Sequence, residues 1–159
     1  MRTPILGIDP GPEQSGWAIY EGQDGDSRTP IVSGVSANED LLSIIVEHAY
    51  SHLAIEKIAS YGMAVGADIF ETCFQSGRMA QAYYEAGGMF DLIRVTRQEV
   101  KLHLCHDSRA KDANIRQALI DKLGPPGIKS SPGPTYRVKS HAWAALAVAV
   151  TAAETRINA

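Results

Sequence analysis

The amino-acid sequence predicts a single α/β domain with mixed strand directions. Three features carry that expectation. The chain opens with three short apolar strands separated by turn residues; two further strands alternate with helical patterns; and the chain closes on a helix that is apolar on nearly every side. The 159 residues fit one domain and would cramp two.

Residues 4–9 (PILGID) read as a buried strand, followed by a turn at 10–14. Residues 15–21 (SGWAIYE) read as a second strand. Asp24-Gly25 is a hairpin signal, and residues 30–35 (PIVSGV) form the third strand of the meander. Asn38-Glu39-Asp40 reads as a helix start with a side-chain cap and acids in its first turn. Leu41, Leu42, Ile44 and Ile45 then recur at helical spacing. Residues 53–58 (LAIEKI) return to strand, and 61–66 form a glycine-containing loop. A long helix over 68–86 carries Phe70, Cys73, Phe74, Gly77 and Ala80 near one face and ends at Gly87-Gly88. Residues 90–95 are a strand. Thr96 and Glu99 then match a capping box, and a second helix follows over 111–123. Gly124-Pro125-Pro126-Gly127 stops that helix, residues 128–136 read as a mobile loop, and the closing helix runs over 140–156.

Composition narrows the classes of function. Hydrophobic residues are 45% and charged residues 21%, ordinary for a globular domain that needs neither disulfides nor a structural metal. The first apolar run is too short for a signal-peptide core, and the stretch 142–153 is short of a membrane span. Cys73 and Cys105 lack metal-ligand spacing and read as reduced packing residues. The net charge of -3 weighs mildly against a nucleic-acid partner, although a near-neutral total is compatible with a local basic face.

Three residues stand out as candidates for chemistry. Asp9 ends a buried strand just before a tight turn, which aims a carboxylate at a cleft; Asp-Pro-Gly is equally ordinary turn chemistry. Glu56 interrupts an apolar strand, where alternation sets it on one face with Ala54 and Ile58. A carboxylate buried there needs a salt bridge or a metal ion; at an exposed strand end it needs neither. His141 stands at the mouth of the apolar closing helix, as a functional group or as a capping or core histidine.

Five segments, in order, resemble the RuvC-type Holliday-junction resolvases. Ile5-Leu6-Gly7-Ile8-Asp9-Pro10-Gly11 with Ser15-Gly16 looks like their opening signature. Leu53-Ala54-Ile55-Glu56-Lys57 resembles their second acidic strand. The run from Thr96 to Lys101 resembles their Arg-Gln-x-Val-Lys stretch, and that from Ala110 to Ile115 their next basic helix start. Ser140-His141-Ala142-Trp143-Ala144-Ala145-Leu146-Ala147 is similar to their final acidic helix.

The resemblance implies an RNase H-like fold: a mixed five-stranded sheet, with an antiparallel three-strand meander and two parallel strands, flanked by helices. It also implies a homodimer that cuts four-way or other branched DNA with Mg²⁺ or Mn²⁺, two ions per site, in the cytoplasm of a bacterium or phage-infected host. Carried over by position, Asp9, Glu56 and His141 become metal ligands, with His141 a ligand or a general base. Lys101 and Lys111 fit the family's basic positions, and Arg97, Arg109, Arg137 and Lys139 add DNA-contact candidates. Tyr61 is similar to, but displaced from, an aromatic that probes the junction. One departure is plain: the family's last Asp falls on Ala144, and Asp112 or Asp107 would be the nearby substitutes.

Other readings stay open. The same metal chemistry serves an RNA–DNA hybrid or other branched DNA. Loss of the acid at Ala144 suits a non-catalytic junction-binding protein. Asp-Pro-Gly before Ser-Gly also resembles the phosphate loop of sugar kinases and actin-like ATPases, which need two such domains.

Overall fold

The computed structural model describes residues 2–22 and 29–158; the Asp24-Gly25 hairpin signal lies outside them. Strands β1 (Ile5–Asp9), β2 (Gln14–Tyr20) and β3 (Val32–Ala37) lead into α1 (Asn38–Glu47). β4 (His52–Lys57), α2 (Ala67–Glu85), β5 (Ile93–Thr96), α3 (Arg97–Cys105) and α4 (Asp112–Leu123) follow. A two-stranded ribbon, β6 (Gly127–Ile128) and β7 (Ser131–Pro132), precedes α5 (Ala142–Ala152), which runs on into a π-helical turn over Ala153–Ile157.

The five-stranded sheet has the order β3-β2-β1-β4-β5. β1, β2 and β3 pair antiparallel, whereas β4 pairs parallel with both β1 and β5. This is the mixed α/β sheet that the sequence predicts. Alternation along the strands makes two cores. Ile5, Ala18, Ala54 and Val95 pack under α5, with α3 and α4 on that side. Leu6, Ile8, Leu53 and Ile55 pack against Leu41 and Ile45 of α1 and Met79 and Tyr83 of α2.

Two glycines let α5 lie on the sheet. A Cβ on Gly7 would stand 2.3 Å from the Ala145 carbonyl oxygen, and one on Gly16 would stand 2.3 Å from the His141 carbonyl oxygen. Gly16 pairs with Asp9 across the sheet, so this close approach sets His141 over the end of β1.

Three local expectations are corrected. Asn38 does not cap α1: Ala37 is the N-cap residue, and the buried Asn38 amide is spent elsewhere. Asn38 Oδ1 accepts from Ser15 Oγ at 2.6 Å and Asn38 Nδ2 donates to the Gly11 carbonyl at 3.0 Å, while Ser15 Oγ accepts from the Gly11 amide at 3.1 Å. That network locks the turn after Asp9. Residues 90–92 lie outside β5, because Phe90 stacks on His52 at 3.8 Å and its amide donates to the Tyr83 hydroxyl. The Pro/Gly/Ser segment is tied down as well as looped: Ile31 donates to the Pro134 carbonyl at 2.9 Å, and Thr135, buried, donates to the Gly124 carbonyl at 2.9 Å. The Thr96 capping box is present as expected.

Candidate active site

Parallel pairing of β1 and β4 matches Ile8 with Ile55, so the next residues in register are Asp9 and Glu56. Both fall on the α5 face of the sheet. The two carboxyls face each other in the interior, with 16% of the Asp9 and 10% of the Glu56 side chain exposed. His141, the N-cap residue of α5, brings Nδ1 to 3.1 Å from Asp9 Oδ2. All three line one cavity of about 400 Å³. The candidates taken from distant parts of the sequence therefore meet.

The electrostatics follow from that burial. Asp9 is raised above the usual carboxylate range by desolvation, with the Glu56 hydrogen bond and the Arg97 charge pulling the other way. Glu56 is pushed up to about 7, first by desolvation and then by the hydrogen bond and charge of Asp9, against the pull of Arg97. Two like charges this close cannot both ionise readily without a cation beside them.

Part of that cation is Arg97. Its Nη1 stands 3.7 Å from Glu56 Oε1, and its Nη2 bonds Asp112 Oδ1. Arg97, a DNA-contact candidate in the sequence, is therefore ion-paired at the cavity rim. It is the first residue of α3, Asp112 is the first residue of α4, and His141 caps α5. Three helix N-termini therefore meet at the rim of one cavity whose floor is acidic. A helix N-terminus carries a partial positive charge and free N–H donors, which suits an anion.

Chemically, the paired carboxylates suit a hard divalent cation, and an imidazole bonded through Nδ1 keeps Nε2 free as a ligand or base. The acids are engaged with each other and with Arg97. Among the described residues no three or more His, Cys, Asp or Glu side chains gather as a metal cluster. Ala144 lines the same cavity and offers no donor.

The remaining candidates divide. Tyr61, Lys101 and Arg97 line a neighbouring cavity of about 290 Å³ with Gln98 and Ser108, so Arg97 borders both spaces. Lys111, Arg137 and Lys139 are exposed and line neither cavity, and Arg109 is exposed beside Asp107, with a 3.6 Å contact. Arg116 is a residue that the sequence does not single out. Its guanidinium lies 4.8 Å from the ring centroid of Trp143 and borders the acidic cavity. The spacing of Asp112 and Arg116, four apart beside the buried Ile115, was the available signal. Asp107 lines neither cavity, and Cys73 is exposed where a packing residue was expected.

The sequence matches no protein-family model and no curated protein. Solved structures do match. The RuvC of Thermus thermophilus in complex with a Holliday-junction substrate superposes with a TM-score of 0.70 at 20% identity, over 96% of this chain and 93% of that one. A second Thermus thermophilus RuvC structure gives a TM-score of 0.65 at 21% identity, over 95% and 93%. The class of fold is thereby fixed as RNase H-like, and its particular form is that of the RuvC structures along nearly the whole chain.

Proposed function

We propose that this protein is a divalent-metal-dependent endonuclease of the RuvC type, which hydrolyses a phosphodiester in four-way or other branched DNA. The observation that carries the reading is the cavity itself. It joins a buried carboxylate pair, fit for a cation, to three helix N-termini and a guanidinium, fit for a phosphate.

Asp9 and Glu56 would hold Mg²⁺ or Mn²⁺, with His141 as the third ligand. The ion supplies charge to polarise the phosphate and acidify the attacking water. The contact between Asp9 and His141 Nδ1 would orient the ring and leave Nε2 available to the ion or the water. In the reaction a water oxygen bonds to phosphorus as the bond from phosphorus to one sugar oxygen breaks. The water's proton passes to solvent, and the leaving oxygen takes one up.

Arg97, which borders both cavities, and Lys101, which lines the Tyr61 cavity, would grip the adjoining backbone. Lys111, Arg109, Arg137 and Lys139 would contact phosphates further out, and Tyr61, 59% exposed, would stack on a base at the branch. Symmetric cutting requires a homodimer. The exposed Phe70 and Phe74 of α2 are its candidate face. Among the described residues no helix is long and apolar enough to cross a membrane.

The test is cleavage of a labelled synthetic four-way junction beside matched linear duplex and RNA–DNA hybrid, with Mg²⁺ and with Mn²⁺. Selective junction cleavage supports the reading. Preferential hybrid cleavage keeps the chemistry and replaces the substrate. Tight junction binding with no cleavage in either metal makes the protein a non-catalytic junction binder.

A further inference from the structure

Hydrolysis by two metal ions places two positive centres roughly 3.5–4 Å apart, one for the attacking oxygen and one for the leaving oxygen. Two divalent ions here would bring four positive charges to Asp9, Glu56 and the His141 ring, because the cavity's remaining carboxylate, Asp112, is already paired with Arg97. The wall that could hold a second ion carries Ala144, whose methyl has no donor, beside Trp143, Ala147 and Val148. A fixed cation already stands at the carboxylates. Arg97 Nη1 is 3.7 Å from Glu56 Oε1, its other terminal nitrogen is bonded to Asp112, and its backbone opens a helix locked by the Thr96–Glu99 capping box. Asp112, with 84% of its side chain exposed, stands at the solvent side of this guanidinium and Glu56 at the buried side.

We propose that the site takes one divalent ion, and that Arg97, held in place by Asp112, supplies the second positive centre on the phosphate. This rests on the nuclease reading above and revises the two ions that the sequence suggested. Arg97 stays protonated throughout and transfers no proton. It contributes planar N–H donors and charge, aimed before substrate arrives, to a phosphate oxygen as negative charge builds up. Asp112 is a positioning residue: it fixes the guanidinium plane across the boundary between the two cavities.

The test counts ions as well as turnover. Mn²⁺ binding is measured by calorimetry and by electron paramagnetic resonance on the full chain, as wild type, Arg97→Ala and the double variant Arg97→Ala with Ala144→Asp. One ion is expected in the first two and two in the double variant. Junction cleavage by Arg97→Ala should fall about 100-fold or more, the scale for removing one preorganised donor. Arg97→Lys should recover only part of it, because the ammonium keeps the charge without the fork. Asp112→Asn should lower kcat with little change in junction affinity, and Asp112→Glu should restore it. Two ions in the wild type, alongside cleavage that needs Asp9, would overturn this inference and leave the nuclease reading standing. Unchanged cleavage in Arg97→Ala would do the same. Absence of Mn²⁺ binding together with absence of cleavage would overturn both.

Discussion

Helices α5 and α2 cover opposite faces of one sheet, and they are built on opposite principles. Ten of the eleven residues of α5 are buried, nearly all of them Ala, Val, Leu or Trp, and small residues let its backbone touch Gly7 and Gly16. α2 is nineteen residues long, yet Thr72, Met79 and Tyr83 are its buried residues, while Phe70 and Phe74 are 66% and 63% exposed. The contrast separates two tasks. α5 is a rigid bolt whose N-terminus delivers His141 to Asp9 within hydrogen-bonding distance. α2 is anchored by few side chains and presents an aromatic surface outward. The Asp9–His141 geometry depends on the bolt, and under the proposed function assembly would depend on the open face.

The contrast can be broken by paired truncations. Leu146→Ala, at a fully buried position of α5, should cost about 3 kcal/mol, the usual price of such a cavity. Phe74→Ser on α2 should change monomer stability by less than about 0.5 kcal/mol. Urea unfolding measures both. Sedimentation of Phe74→Ser should also show a shift from dimer to monomer; an unchanged mass would remove this face from the interface.

The acidic floor gives the next largest effect. Glu56 sits at about 7 in the folded protein against an ordinary value of 4.5, so the folded state binds the proton more tightly. Its contribution to stability is full below the ordinary value and is lost as pH rises through about 7. The swing is on the order of 3 kcal/mol. Urea melts with chelator at about pH 5 and about pH 8 should show metal-free wild type weakening at the higher pH, and Glu56→Gln should flatten the difference. Mn²⁺ should restore stability at the higher pH by binding the ionised pair.

The smallest effect lies at the exposed rim. Lys111→Ala should weaken junction binding a few-fold and lower the salt slope by about one. An unchanged slope would take Lys111 out of the phosphate contacts.

Much of this was legible in the chain because it is written in short-range pattern. Strict alternation in residues 53–57 put Glu56 on the Ala54 face, and the cap at Thr96 marked the start of α3. Asp9 and His141 stood out as polar groups at the ends of apolar runs. What stayed hidden depends on partners far apart in sequence. Asn38 looked like a helix cap because nothing local shows that Ser15 and Gly11 claim its amide. Arg97 gave no sign of its ion pairs, because Asp112, fifteen residues on, and Glu56, on another strand, are brought to it only by the fold. The ribbon β6–β7 has two residues per strand, too few to show a period.

The most direct test of the central claim pairs wild type with Asp9→Asn on one labelled four-way junction in Mn²⁺, scoring cleavage and gel-shift affinity in the same samples. The account predicts paired, symmetrically placed nicks by the wild type, none by Asp9→Asn, and junction affinities that agree within a few-fold. Cleavage that survives in Asp9→Asn, or wild type that cuts linear duplex as readily as the junction, would contradict it.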